Sequence, residues 1–168
     1  CYTGNAKAYA QANMGGIGNA MTQALMKAND VLLNSQTDVS LNLVHTLEIG
    51  NYEPSSFAFG FTPGFLDNVQ AQGDGIADEI HIARDTYQAD LVSVFIANYV
   101  GVPACATYYL GVAPSTSYFG FNKTSGFNVI EIMHASGLTF THETGHNFGC
   151  KHARDVPGTR ENGISPAA

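Results

Sequence analysis

The chain has 168 residues, enough for one domain with a real core and too few for two ordinary ones. Hydrophobic residues make up 45% and charged residues 12%, half the usual ~25%, which describes a lightly charged globular protein. Fourteen acidic against seven scattered basic residues give a net charge of −7, which disfavours nucleic acid and anionic membrane surfaces as partners, and no apolar run approaches the ~20 residues of a membrane span.

Residues 15–34 are predicted to be helical. Ile17, Met21, Ala24, Leu25, Ala28, Val31 and Leu32 recur at helical spacing behind Gly15 and Gly16, with the methionines as core filling. Val39, Leu41, Leu43, His45, Leu47 and Ile49 then alternate with mostly polar neighbours, the pattern of a half-buried strand. His45 falls on its apolar side and is expected to be a satisfied core histidine, not a ligand.

Residues 73–90 read as a loop leading into a short helix. Asp74-Gly75 and Asp78-Glu79 have the flavour of a calcium loop, but Gln70 and Gln72 stand at the early ligand positions and His81 at the final one. Calcium is therefore not supported, and a solvated turn is expected. Residues 91–96 (LVSVFI) have the apolar, β-branched character of a strand covered on both faces. Two more short strands are predicted at 106–110 and 127–133. Strands alternating with helices argue for an α/β sheet with helices on both faces. The last helix should begin near Leu138 and stop at Gly149.

That helix carries His142-Glu143-Thr144-Gly145-His146-Asn147-Phe148-Gly149-Cys150-Lys151-His152, which reads HExxHxxGxxH. His142 and His146 are i and i+4, so their imidazoles leave one helix face and can share an ion. Gly149 lets the chain turn so that His152 returns as a third ligand. Three protein ligands leave the fourth zinc position to water, the arrangement of a catalytic site. Zinc lowers the pKa of such a water from ~15.7 to about 7, and Glu143 is placed to accept its proton and pass it to the leaving amine. With 6 His and 18 Gly in the chain, a chance match is on the order of 10⁻⁵. Cys150 is not expected to ligate, because His146 and His152 take the positions the motif favours. Glu161, the one downstream Glu, lies in a Pro- and Gly-rich tail, which argues against a Glu as third ligand.

At these residues the chain resembles the metzincin zinc metalloendopeptidases, closest to reprolysin-like enzymes and to bacterial ones of the peptidyl-Asp kind. Asn34-Ser35, Leu43-Val44-His45-Thr46, the run from Arg84 to Val92, and Leu138-Thr139-Phe140-Thr141 extend the likeness upstream. The resemblance implies an α/β (α+β) catalytic domain: a twisted, mostly parallel five-stranded sheet with one antiparallel edge strand, long helices, and the zinc helix below the cleft. The edge strand matches Ala106, Thr107, Tyr108, Tyr109 and Leu110, and in the family it takes an extended polypeptide substrate as an added strand. A secreted, monomeric endopeptidase with one zinc ion is the expectation; a zinc-binding but inactive peptide-binding module is the alternative.

Against the family pattern, residues 1–168 are expected to be a single domain truncated at both ends. All four methionines lie upstream of the motif and sixteen residues follow His152, so the family's Met-turn and last helix fall outside the sequence. Tyr2-Thr3 resembles the end of the family's first strand. Ala153 stands where reprolysins carry Asp. Cys105 matches a family cysteine whose partner position, near Met133-His134, has none; whether it pairs with Cys150 is open.

Overall fold

A computed structural model describes residues 1–50, 63–97, 111–113 and 126–150. The first helix, α1 (Gly4–Asn13), has no periodic apolar signal in the sequence. Thr3 caps it, its hydroxyl accepting the Ala6 N–H at 3.3 Å, and Ala6 and Ala10, one turn apart, are fully buried. Gly15 (φ 71°) and Gly16 (φ 104°) take left-handed conformations that redirect the chain into α2 (Ile17–Asn34). Ala20, Met21, Ala24 and Ala28 form its buried stripe. Met26 is 62% exposed, which corrects the core role expected of it: five residues beyond Met21 is roughly 140° around the helix.

Helix α3 (Pro63–Gln70), also unanticipated, buries Leu66 and Val69; α4 (Glu79–Tyr87) is the predicted short helix. The turn before α4 is held by carboxylates. Asp78 accepts the N–H groups of Gly73 (2.6 Å) and Gly75 (3.0 Å), and Asp74 accepts that of Ile76 (2.9 Å).

Strands β1 (Val92–Ile96), β2 (Gly111–Val112) and β3 (Phe127–Glu131) form a sheet of order β1-β3-β2. β1 and β3 run parallel, Val92 opposite Phe127 through Ile96 opposite Glu131, and β2 is antiparallel to β3. The predicted strand at 127–133 ends at Glu131, because a turn of 3₁₀ helix (Ile132–His134) takes over the backbone bonds before α5 (Thr139–Asn147). Side chains alternate across the sheet. Phe95 and Ile130 join Ala6, Ala10, Ala20, Ala24, Ala28 and Phe140 in one core layer. Val92, Val94, Ile96, Phe127 and Val129 join Leu66, Val69 and Ile80 in the other. Helices thus cover both faces, as expected.

The predicted strand over 39–49 needs correction. Only its end reaches a partner: the Tyr2 N–H donates to Leu47 O (3.0 Å) and the Ile49 N–H to Tyr2 O (2.9 Å), making a parallel bridge beside Glu48, while Tyr2 bridges Phe95 on its other side. Upstream, the Asn29 amide brackets the backbone of Leu41, and Val39 and Leu43 are exposed. No strand among the described residues runs beside 39–46, so the segment forms no ladder there, although Leu41 and Leu47 still pack against the core and keep part of the expected alternation. His45 stacks on Tyr87, ring centroids 3.7 Å apart.

Arg84 locks the corner between α4 and the sheet. Its guanidinium donates to Ala89 O (3.1 Å) and Asp90 O (2.7 Å) and lies 5.0 Å over the Phe127 ring. Gly126 is required here, since a Cβ would sit 2.7 Å from Asp90 O and 2.8 Å from an Arg84 nitrogen.

Candidate metal centre

Helix α5 buries Phe140, Glu143, Thr144 and Asn147, an i, i+3, i+4, i+7 stripe whose two ends, Phe140 and Asn147, meet the sheet and set the rotation of everything else on it. Phe140 stacks against Phe95 at 6.1 Å. With that face committed, His142 and His146 emerge along an adjoining line, His142 exposed and His146 buried. Their Nε2 atoms approach to 3.1 Å and the rings stand edge to face, centroids 4.6 Å apart.

The His146 Nδ1 lies 2.8 Å from Cys150 O. A carbonyl only accepts, so Nδ1 carries the proton and Nε2 presents a lone pair toward His142. Two nitrogens sharing a tetrahedral zinc at ~2.0–2.1 Å stand about 3.3–3.4 Å apart. The spacing, and the His146 lone pair that the Cys150 carbonyl directs toward His142, therefore suit a shared ion, with that carbonyl as the outer partner that holds the imidazole.

The geometry depends on how α5 stops. Gly149 (φ 88°) is left-handed; its N–H donates to His146 O (2.9 Å), and the Cys150 N–H donates to Gly145 O (2.9 Å). This pair of bonds is the Schellman stop expected at Gly149, and it brings the Cys150 carbonyl back under His146. Glu143, 6% exposed, lies between the two histidines in sequence, and burial lifts its carboxyl to about 7. A carboxylate in that range takes and releases protons near neutrality.

The third predicted ligand, His152, lies outside the described residues, as do Cys105, Glu161 and the expected substrate edge Ala106, Thr107, Tyr108, Tyr109 and Leu110. Among the described residues no group of three or more His, Cys, Asp or Glu is arranged to hold a metal. Cys150 is an exposed free thiol. β2 begins directly after Leu110 and is antiparallel to β3.

One site-side residue has no part in the sequence reading. Asn147, next to His146, is buried and joined to β3: its Oδ1 accepts from Asn128 Nδ2 (2.7 Å) and its Nδ2 donates to Phe127 O (2.9 Å). Its place on the stripe begun by Phe140 is the signal that marks it as inward-facing.

Residues 19–153 match the reprolysin-like metallopeptidases of family M12B. The chain is 30% identical over 132 residues to a peptidyl-Asp metalloendopeptidase of Xanthomonas campestris pv. campestris, a match covering 77% of this chain. The chain spans about a quarter (27%) of that relative's length. No solved structure gives a significant match.

Proposed function

This chain belongs to the reprolysin-like metallopeptidases of family M12B, and we propose that it is a secreted, zinc-dependent metalloendopeptidase that hydrolyses peptide bonds of proteins. The observation that carries this reading is the pair of Nε2 atoms 3.1 Å apart on α5, one oriented by the Cys150 carbonyl, with a buried Glu143 between them in sequence. In this reading His142, His146 and His152 hold the ion. When bound, zinc polarises the scissile carbonyl and acidifies the attacking water. Glu143 takes the proton from that water and delivers it to the leaving amine, a task its raised pKa suits.

The substrate enters as an extended strand along Ala106, Thr107, Tyr108, Tyr109 and Leu110, main chain to main chain. The antiparallel β2, directly following, supports an antiparallel edge there. The bridges from Tyr2 to Phe95 and to Glu48 extend the order β1-β3-β2 by two more segments, which supports a five-stranded sheet above the zinc helix. Residues 1–168 belong to one catalytic domain that works as a monomer on polypeptide. No helix among the described residues is long and apolar enough to cross a membrane. Because the named relative is a peptidyl-Asp endopeptidase, peptides containing Asp belong in the first substrate panel.

The test compares wild type with Glu143→Ala on a denatured protein substrate. Both should hold zinc, and the variant should lose cleavage by roughly 10²–10⁴-fold. Equal cleavage by both removes Glu143 from the mechanism. Zinc uptake without cleavage by the wild type would leave the peptide-binding module as the function.

A further inference from the structure

The buried amides of Asn147 and Asn128 are an unusual way to fasten a helix to a strand. Asn147 is 2% exposed and Asn128 fully buried; one bond joins them, and a second joins Asn147 to Phe127 O. The arrangement is incompletely satisfied, because Asn128 Oδ1 is buried with no hydrogen-bond partner among the described residues. Two apolar side chains in the same place would avoid that cost, since replacing both partners of a buried hydrogen bond by matched apolar groups is often neutral or stabilising. Stability alone therefore does not account for the pair. What apolar packing cannot supply is direction: two hydrogen bonds from side-chain amides fix both the rotation and the height of the last turn of α5 against β3.

That turn contains His146 and is followed by the Gly149 stop, whose Cys150 carbonyl orients the His146 ring. The strand it is fixed to is also the one that pairs with β2, through Val129 and Ile130, one to three residues beyond the Phe127 and Asn128 anchors. β3 is thus a common ruler for the metal-binding turn and for the sheet edge.

We propose that Asn147, through its hydrogen bonds to Asn128 and Phe127, is a positioning residue that sets the place of the His146 imidazole relative to the substrate-bearing edge of the sheet. This role rests on the metallopeptidase reading above. It acts through His146 and touches neither metal nor substrate. Loss of the clamp should displace the ligand without removing it, so the metal stays bound in an altered geometry. A misplacement of this kind lowers turnover more than it weakens peptide binding.

Two variants test this. Asn147→Asp is nearly isosteric and turns the donor facing Phe127 O into an acceptor, whereas Asn128→Ala removes the strand-side donor and leaves the motif helix untouched. Each is loaded with cobalt(II) in place of zinc, and its visible ligand-field spectrum is recorded beside the thermal midpoint of the metal-free chain. Peptide cleavage per bound metal is measured in parallel. The expected result is wild-type metal stoichiometry, a cobalt band changed in position or intensity, and kcat per metal lowered at least about tenfold with KM within about threefold. A cobalt spectrum and kcat per metal identical to wild type in both variants, with only the thermal midpoint lowered, would reduce the pair to packing and overturn the proposal. If the wild-type chain itself takes up no cobalt, the metallopeptidase reading falls, and this proposal with it.

Discussion

Replacing Glu143 by Gln should stabilise the zinc-free chain, and only above acid pH. Burial lifts the carboxyl from 4.5 to about 7 in the folded protein. The folded state therefore favours the protonated form, so stability from this group is complete below pH 4.5 and is lost as the pH rises toward and through 7. At about 1.4 kcal/mol per tenfold change, the difference amounts to ~3 kcal/mol of destabilisation at pH 8. Gln keeps the shape and cannot ionise. Urea unfolding of both proteins in the presence of a chelator, from pH 4 to pH 8, measures the difference directly; all other titrating groups cancel in the comparison. The variant should match wild type near pH 4 and exceed it by about 3 kcal/mol at pH 8. A difference that stays constant across this range would show that Glu143 is not desolvated in the folded chain, and the reasoning about its poise would fail. Restoring zinc should erase most of the gap, since a nearby dication favours the carboxylate.

Three further outcomes follow from contacts away from the histidines. Arg84→Leu strips the donors from Ala89 O and Asp90 O and should lower the unfolding free energy by about 3 kcal/mol, read by urea denaturation. Gly126→Ala drives a methyl to 2.7 Å from Asp90 O and should destabilise by roughly 1–3 kcal/mol, while Gly18→Ala, with open space around it, should not destabilise. Asp78→Ala frees the N–H groups of Gly73 and Gly75; it should speed their amide hydrogen exchange and cost about 1 kcal/mol, a loss that added calcium does not reproduce in the wild type.

Much of this was legible in the residues, for physical reasons that differ by element. α2 shows a long apolar period behind Gly15 and Gly16, β1 a short apolar, β-branched run, and α5 the i, i+4 histidines of its motif, so a different local signal decides each. The stop at Gly149 was legible because a left-handed residue at a helix end has few substitutes. α1 was hidden by its composition: alanines bury well but give weak amphipathic contrast, and the cap at Thr3 is a single hydroxyl. The segment 39–49 shows the opposite failure. Its alternation is clear, yet a strand needs a neighbour, and only Leu47 to Ile49 finds one in Tyr2. At the site, the meeting of His142 and His146 was legible from their i, i+4 spacing alone. The clamp of Asn147 on Asn128 was not, because residues 19 apart in sequence are brought together by the sheet and not by any local rule.

The proposed function turns on a zinc ion held by imidazoles on and after α5. X-ray absorption at the zinc edge of the purified, metal-loaded chain tests it most directly. The expected result is about one zinc per chain with three imidazole nitrogens at ~2.0–2.1 Å and one further light ligand, and loss of the ion when His142 or His146 is replaced by Ala. A sulfur shell at ~2.3 Å from Cys150, or a zinc shell indifferent to both histidine substitutions, would contradict it.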